Sequence, residues 1–220
     1  MYYPYVPHSR QPEPDLERRT LRVTGEGSVS VQPDIARIQL EVITENVSLS
    51  QAQQENAQIM SRVIDALLNL GIERGNIQTT AFNITPRYDF IDGQQVFRGY
   101  EVRNQITVEV TAIDQVGNII DVAVQTGVNR VSNIQFTVQN RQLYYQQALV
   151  SALENAREKA QTINETMQLN LDPTPIRIVE RVIDTPITYN MLTLAAETFT
   201  TPIEPGEIVI MAKVEVQFRY

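Results

Sequence analysis

Apolar and polar residues alternate with a period of two in several parts of the chain, which is typical of half-buried strands. Residues 35–44 are the clearest case, with Ala36, Ile38, Leu40 and Val42 on one face and polar side chains on the other. The C-terminal stretch repeats the pattern from Ile208 to Phe218. Together these alternations predict strands at 21–31, 35–44, 76–90, 95–112, 131–138, 176–183 and from 208 to the C-terminus.

Three intervening stretches change to a helical period. They predict helices at about 49–70, 115–126 and 141–168. Ser48 with Gln51 fits a capping box, Asp114 is the predicted N-cap of the second helix, and Gly71 and Gly127 follow the predicted C-termini. The third helix carries a stripe of alanines four residues apart, which permits close packing against its own core. Its members are Ala148, Ala152, Ala156 and Ala160.

Asp92-Gly93 lies between two predicted strands and favours the tight turn of a long hairpin. The short links between neighbouring strands predict an α+β fold of antiparallel sheets with helices packed on one face. A strand-helix-strand pattern at 35–90 and again at 100–138 suggests a duplicated unit. Residues 1–19 contain four prolines without periodicity and predict a flexible tail rich in proline and tyrosine, leaving 20–220 as the folded domain.

Composition removes whole classes of function. The 220 residues contain no cysteine and one histidine, which excludes thiolate and histidine-cluster metal sites and cysteine nucleophiles. The net charge of −8 argues against nucleic-acid binding, since neutralisation of phosphates supplies most of that affinity. No apolar run is long enough to cross a bilayer, and the N-terminus lacks the pattern of a secretion signal. The expected location is therefore the cytoplasm.

Candidate chemistry is sparse. Gly25-Glu26-Gly27 resembles part of a phosphate-binding loop, but a strand follows it, so a bulge or close backbone crossing is the better interpretation. His8 lies in the tail, without the preorganised partners that catalysis requires. We expect no catalytic, cofactor-binding or metal-binding residues. The alternative is a carboxylate-based ligand-binding protein or hydrolase with a cleft under the predicted irregular connection at 184–206, using acids such as Glu180, Asp184, Glu204 and Glu207.

An ordered series of short matches resembles the SIMPL domain, a bacterial family long catalogued as a domain of unknown function. The series begins with VTGEGSVSVQPDIA at 23–36 and continues through GYEVRN at 99–104, Lys159-Ala160 and Pro205-Gly206-Glu207. The resemblance covers about 21–220 and includes the periplasmic immunogenic proteins. It implies an α+β fold and ring-like homo-oligomers, and it implies no catalytic residues.

Two apolar segments are candidate interfaces, because an exposed apolar patch usually marks an interaction site. One is the hairpin end with Phe90, Ile91, Val96 and Phe97; the other is the late connection with Met191, Leu192, Leu194 and Phe199. The expected function is therefore that of a non-enzymatic protein that acts through self-assembly and partner binding, with no cofactor and no transmembrane segment.

Overall fold

The computed structural model describes residues 19–181, 187–189 and 201–220, with backbone only at 187–189. Its strands are β1 (Thr20–Val31), β2 (Ile35–Asn46), β3 (Ile77–Ile91), β4 (Gln94–Val110), β5 (Arg130–Thr137), β6 (Arg177–Arg181), β7 (Ile187–Tyr189) and β8 (Glu207–Arg219). Its helices are α1 (Leu49–Asn69), α2 (Val116–Thr126) and α3 (Arg141–Met167). The predicted α+β class with two antiparallel sheets is confirmed. The predicted tail at 1–19 lies outside the described residues, apart from Arg19.

The described residues form two compact units. The first unit comprises 19–29, 142–181 and 210–220, and the second comprises 30–141, 187–189 and 201–209. In the sheet of the first unit, β8 lies between β1 and β6. The second unit has a four-stranded sheet in the order β3-β4-β2-β5.

The second unit consists of two interleaved strand-helix-strand units. β2-α1-β3 and β4-α2-β5 each place a helix between two strands that run in the same direction with a third strand between them. This is the split β-α-β arrangement of ferredoxin-like folds. The two strand-helix-strand units predicted from the sequence are therefore present as structural units.

The core of the second unit lies on one face of its sheet. The alternating residues Ala36, Ile38, Leu40 and Val42 of β2 are fully buried, together with Val63 and Leu67 of α1. The opposite face carries ion pairs between neighbouring strands, including Arg37–Glu109 at 3.0 Å. The period-two pattern therefore placed the inner and outer faces of β2 correctly.

In the first unit, α3 lies directly on the sheet. The alanine stripe of α3 is buried against β1 and β8, and Gly25 and Gly27 of β1 make this close approach possible. A Cβ atom on Gly25 would lie 2.0 Å from the carbonyl oxygen of Ala152. The glycines of the Gly25-Glu26-Gly27 motif therefore serve close backbone packing, as the sequence suggested.

Two predicted helix caps are wrong, although both helices begin within one residue of the predicted position. Ser48 precedes α1, but its side chain makes no capping hydrogen bond and instead lies 3.0 Å from the hydroxyl of Ser50. Asp114 does not cap α2, because a turn of 3-10 helix at Ile113–Gln115 comes first. The C-terminal prediction for α1 is confirmed, since Gly71 has a φ of 89°. Such a left-handed residue lets the following amides bond to the last carbonyls of the helix.

The connection predicted as irregular at 184–206 contains β7, which pairs with the start of β8. After it, Thr201 is held against α2 of the same unit: the Thr201 hydroxyl and amide both donate to the carboxylate of Asp121. These two hydrogen bonds lower the pKa of Asp121. Within the described part of the segment, 187–189 forms a strand, whereas 201–206 has no regular secondary structure, as predicted, and is held by the bonds of Thr201.

Candidate functional site

The hairpin of β3 and β4 carries the exposed apolar surface that the sequence pointed to. Asp92 and Gly93 form the two-residue turn, with φ angles of 51° and 78°. Two consecutive positive φ angles give the primed turn that suits the twist of paired strands, and Asp-Gly is a preferred sequence for it. We call residues 82–99 the hairpin arm.

The four predicted arm residues are exposed, and Phe90 is the most exposed of them at 77%. They do not share one face. Phe97 pairs with Tyr88, and Phe90 lies two residues further along β3, so these three lie on the same side of the sheet as the core. Ile91 and Val96 lie on the opposite side.

The sequence analysis missed three further members of the apolar side of the arm. Phe82, Ile84 and Tyr88 are all at least 37% exposed and alternate along β3 with Phe90. The alternation itself is visible in the sequence, because apolar residues occupy 82, 84, 86, 88 and 90, but only the position of β3 at the edge of the sheet shows that they are exposed. We call the five exposed residues on this side the apolar face of the arm; they are Phe82, Ile84, Tyr88, Phe90 and Phe97.

Aromatic contacts order this face. The ring of Phe97 meets Tyr88 edge to face at 5.7 Å between centroids and meets Tyr100 at 5.3 Å. Such pairs add stability beyond the burial of area. Gly99 lies next to this cluster, where β4 carries an extra residue, and a Cβ atom there would lie 2.8 Å from the carbonyl oxygen of Asn46. Tyr88, Phe97 and Tyr100 therefore form one cluster of contacting rings.

Charged residues lie on the side of β3 and β4 opposite the apolar face. Arg98 donates to Asp89 at 2.8 Å, which raises the pKa of Arg98. Glu101 is 5% exposed and bonds to Arg103, with Arg87 3.6 Å away. The hydrogen bond from Arg103 holds the pKa of Glu101 below its ordinary value, although burial opposes this. Asp89 and Glu101 are thus paired with arginines, and the lowered pKa makes Glu101 a poor candidate for proton transfer.

The other predicted interface, with Met191, Leu192, Leu194 and Phe199, lies outside the described residues. The same holds for Asp184 and His8. Among the acids of the carboxylate alternative, Glu180 belongs to the first unit and accepts a hydrogen bond from Tyr145, whereas Glu204 and Glu207 belong to the second. Within the described ranges, no cluster of three or more histidine, aspartate or glutamate side chains could hold a metal ion.

Comparison with known proteins decides the family. The model of the SIMPL family, described as a protein of unknown function (DUF541), matches residues 21–218. The chain belongs to the SIMPL family. The match confirms the resemblance found in the sequence. It covers nearly the whole SIMPL chain.

Named relatives in the SIMPL family include the 26 kDa periplasmic immunogenic protein of Brucella melitensis. It is 29% identical over 214 residues, which cover 90% of this chain and 83% of the relative. The protein of the same name from Brucella abortus is also 29% identical over the same coverage. The uncharacterised protein YggE of Escherichia coli is 25% identical over 150 residues, covering 68% of this chain and 61% of YggE.

These relatives correct one prediction. The expectation of a cytoplasmic location is wrong, since the Brucella relatives are named as periplasmic proteins. The expectation relied on reading the N-terminal residues for a secretion signal, and a folded domain carries little compositional record of its compartment when it has no cysteines. As for membrane insertion, none of the described helices combines the length and the apolarity that crossing a bilayer requires.

Proposed function

We propose that this SIMPL protein acts by assembling with copies of itself through the hairpin arm, and that it binds partners rather than catalysing a reaction. The periplasmic names of its relatives favour the same compartment for this chain. The observation that supports the proposal is the apolar face of the arm, which holds five exposed large apolar side chains within one strand pair. They are Phe82, Ile84, Tyr88, Phe90 and Phe97.

The physical reason is the cost of leaving such a surface in water. Contiguous apolar area of this kind is uncommon on monomers and usually marks an interaction site. Burial of apolar area contributes about 25 cal/mol per Å² before the costs of association are subtracted. Ordered aromatic rings suit this role, because they bury much area for little loss of side-chain freedom.

The chemistry of the described residues also supports a binding role. The charged groups beside the arm are tied to one another as Arg–Asp and Arg–Glu pairs. These pairs lie on the side of the strand pair opposite the apolar face, and charged pairs near an interface favour specificity of association more than affinity. Ring-like homo-oligomers, which the family resemblance implies, are one form that the assembly takes under this proposal.

Light scattering on the purified chain tests the proposal. We expect a mass well above 25.0 kDa at micromolar concentration, and we expect Phe90→Ser combined with Phe97→Ser to lower it. Val124→Ser is a matched control, because Val124 is 50% exposed on α2 and lies outside the arm. A mass of 25.0 kDa for the unaltered chain at every concentration would rule out self-assembly. Equal masses for the arm variant and the control would rule out the arm as its site.

A further inference from the structure

The long edge of β3 shows how two copies can join, and this inference rests on the proposed self-assembly. β3 has 15 residues and, among the described residues, pairs only with β4. An unpaired edge of this length is a template for another strand. By contrast, the edge of β1 is occupied by α3: Asn155 accepts from the amide of Glu26, and Lys159 donates to the carbonyl of Thr24.

The direction of the free backbone groups on β3 follows from the register. Ile43 of β2 directs its amide and its carbonyl at the side chain of Asn129, so it faces away from β4. Because backbone groups alternate along a strand, the residues on either side of Ile43 bond to β4 at the even positions 102 and 104. The odd positions of β4 therefore bond to β3, where their partners include Asn83 and Thr85.

The even positions of β3 consequently direct their backbone groups outward. The extra residue of the irregularity near Arg87 lies on β4, so the alternation of β3 continues through it to Tyr88 and Phe90. The side chains at these even positions are those of the apolar face. The outward backbone groups and the exposed apolar side chains thus belong to the same residues.

We propose that β3 pairs antiparallel with β3 of a second copy, with Tyr88 opposite the partner's Tyr88. In this register Arg87 lies opposite the partner's Asp89, and the reverse pair forms by symmetry. Phe90 lies opposite the partner's Pro86. Each Tyr88 exchanges both backbone hydrogen bonds with its counterpart, and the amide of Phe90 donates to the carbonyl of the partner's Pro86.

Charge selects this register from its neighbours. Pro86 has no amide proton, so each copy loses one hydrogen bond in this register just as it does in a pairing centred on Pro86. The pairing centred on Pro86 places Arg87 opposite Thr85 and Asp89 opposite Asn83, which are uncharged. A pairing centred on Ile84 or on Phe90 places Arg87 and Asp89 opposite uncharged residues, whereas the Tyr88 register places them opposite each other. Opposite charges directly across a strand pair stabilise it, and like charges destabilise it.

Cysteine cross-linking tests the pairing directly, because the chain contains no cysteine. Paired positions across antiparallel strands lie within the Cα separation that a disulfide spans. We expect Tyr88→Cys to form a covalent dimer under mild oxidation at least about tenfold faster than Val96→Cys, since only position 88 meets its own copy. Val96 is a matched control, with 44% exposure against 45% for Tyr88. Equal rates for the two variants overturn the pairing.

Charge reversal gives a second readout in the full chain. Arg87→Asp places two acids opposite each other and is expected to weaken assembly at least about tenfold. Arg87→Asp combined with Asp89→Arg restores opposite charges and is expected to recover assembly; failure to recover counts against the register. If the unaltered chain assembles but Tyr88→Cys cross-links no faster than the control, the pairing is wrong while self-assembly stands. If the unaltered chain is monomeric, both proposals fail.

Discussion

Substitution of Gly25 by alanine should destabilise the first unit, because α3 lies too close to β1 for any side chain there. The added methyl group would lie 2.0 Å from the carbonyl oxygen of Ala152 and 2.7 Å from the Cβ atom of Ala156. The nearest atom belongs to the helix backbone, so rotation of a side chain cannot relieve the overlap. The helix must move away from the sheet.

The size of the effect follows from the distance that α3 must move. Cβ atoms essentially never approach other heavy atoms within 3.0 Å, so the separation must grow by about 1 Å. A gap of that size forfeits roughly a quarter to a half of the dispersion energy across the alanine stripe. Overpacking typically costs about 1–3 kcal/mol, and a backbone clash belongs at the upper end. Alanine restores at most about 1 kcal/mol through the lower entropy of the unfolded chain. The expected net loss is about 2 kcal/mol.

Urea unfolding followed by far-UV circular dichroism measures this loss, and α3 contributes strongly to the signal. Gly75→Ala is the matched control, since no atom of the described residues lies within 4 Å of a Cβ atom placed on Gly75. We expect the control to change the free energy of unfolding by less than about 0.5 kcal/mol. If Gly25→Ala unfolds at the same urea concentration as the unaltered chain, the close contact between β1 and α3 is not present in solution.

Two further substitutions test the second unit. The side-chain amide of buried Asn56 donates to the carbonyls of Val42 and Val102, and its own oxygen has no partner among the described residues. Asn56→Leu should leave thermal stability unchanged or higher, whereas Asn56→Asp should cost about 3 kcal/mol, because an acid faces two carbonyls; equal effects would contradict this. The pKa of Glu101 is lowered by Arg103, so ionised Glu101 stabilises the fold above the ordinary glutamate pKa, and this is lost as pH falls through the lowered value. Glu101→Gln should therefore lose less stability on acidification than the unaltered chain, and parallel pH profiles would refute it.

Local sequence patterns predicted the elements well where a single structural requirement, such as burial of one face or a positive φ, determined which residues could occupy a position. The alternation in β2 gave its start and its buried face, since a shift by one residue would place charged side chains in the core. Asp92-Gly93 gave the hairpin, since few residue pairs accept two positive φ angles. Gly71 gave the end of α1 for the same reason.

The errors arise where a local signal competes with another contact. Ser48 has the right side chain for a cap, but its hydroxyl bonds with that of Ser50 and caps no helix amide. β1 and β2 are joined by a short link and yet belong to different sheets, because β1 lies next to β8 at the other end of the chain. The amide of Asp34 donates to the carbonyl of Thr137, and the carboxylate of Asp34 accepts from the amide of Gln139. These hydrogen bonds hold the start of β2 beside the end of β5 instead. Such long-range pairings have no signature in a window of neighbouring residues.

The candidate site was half predictable for a related reason. The four arm residues near the turn stood out as apolar beside a turn signal. The even-numbered residues from Phe82 to Tyr88 did not, because an alternating strand is ordinarily assigned to the core. Only the sheet order, which places β3 at an edge, shows that these side chains are exposed.

Hydrogen–deuterium exchange at two protein concentrations tests the central claim most directly, since it reports on the backbone of β3 itself. If copies associate through the arm, peptides covering residues 82–91 exchange more slowly in the concentrated sample, while peptides from α1 exchange equally in both. Identical exchange of the 82–91 peptides at both concentrations, in a sample shown by light scattering to change its mass between them, would contradict the account.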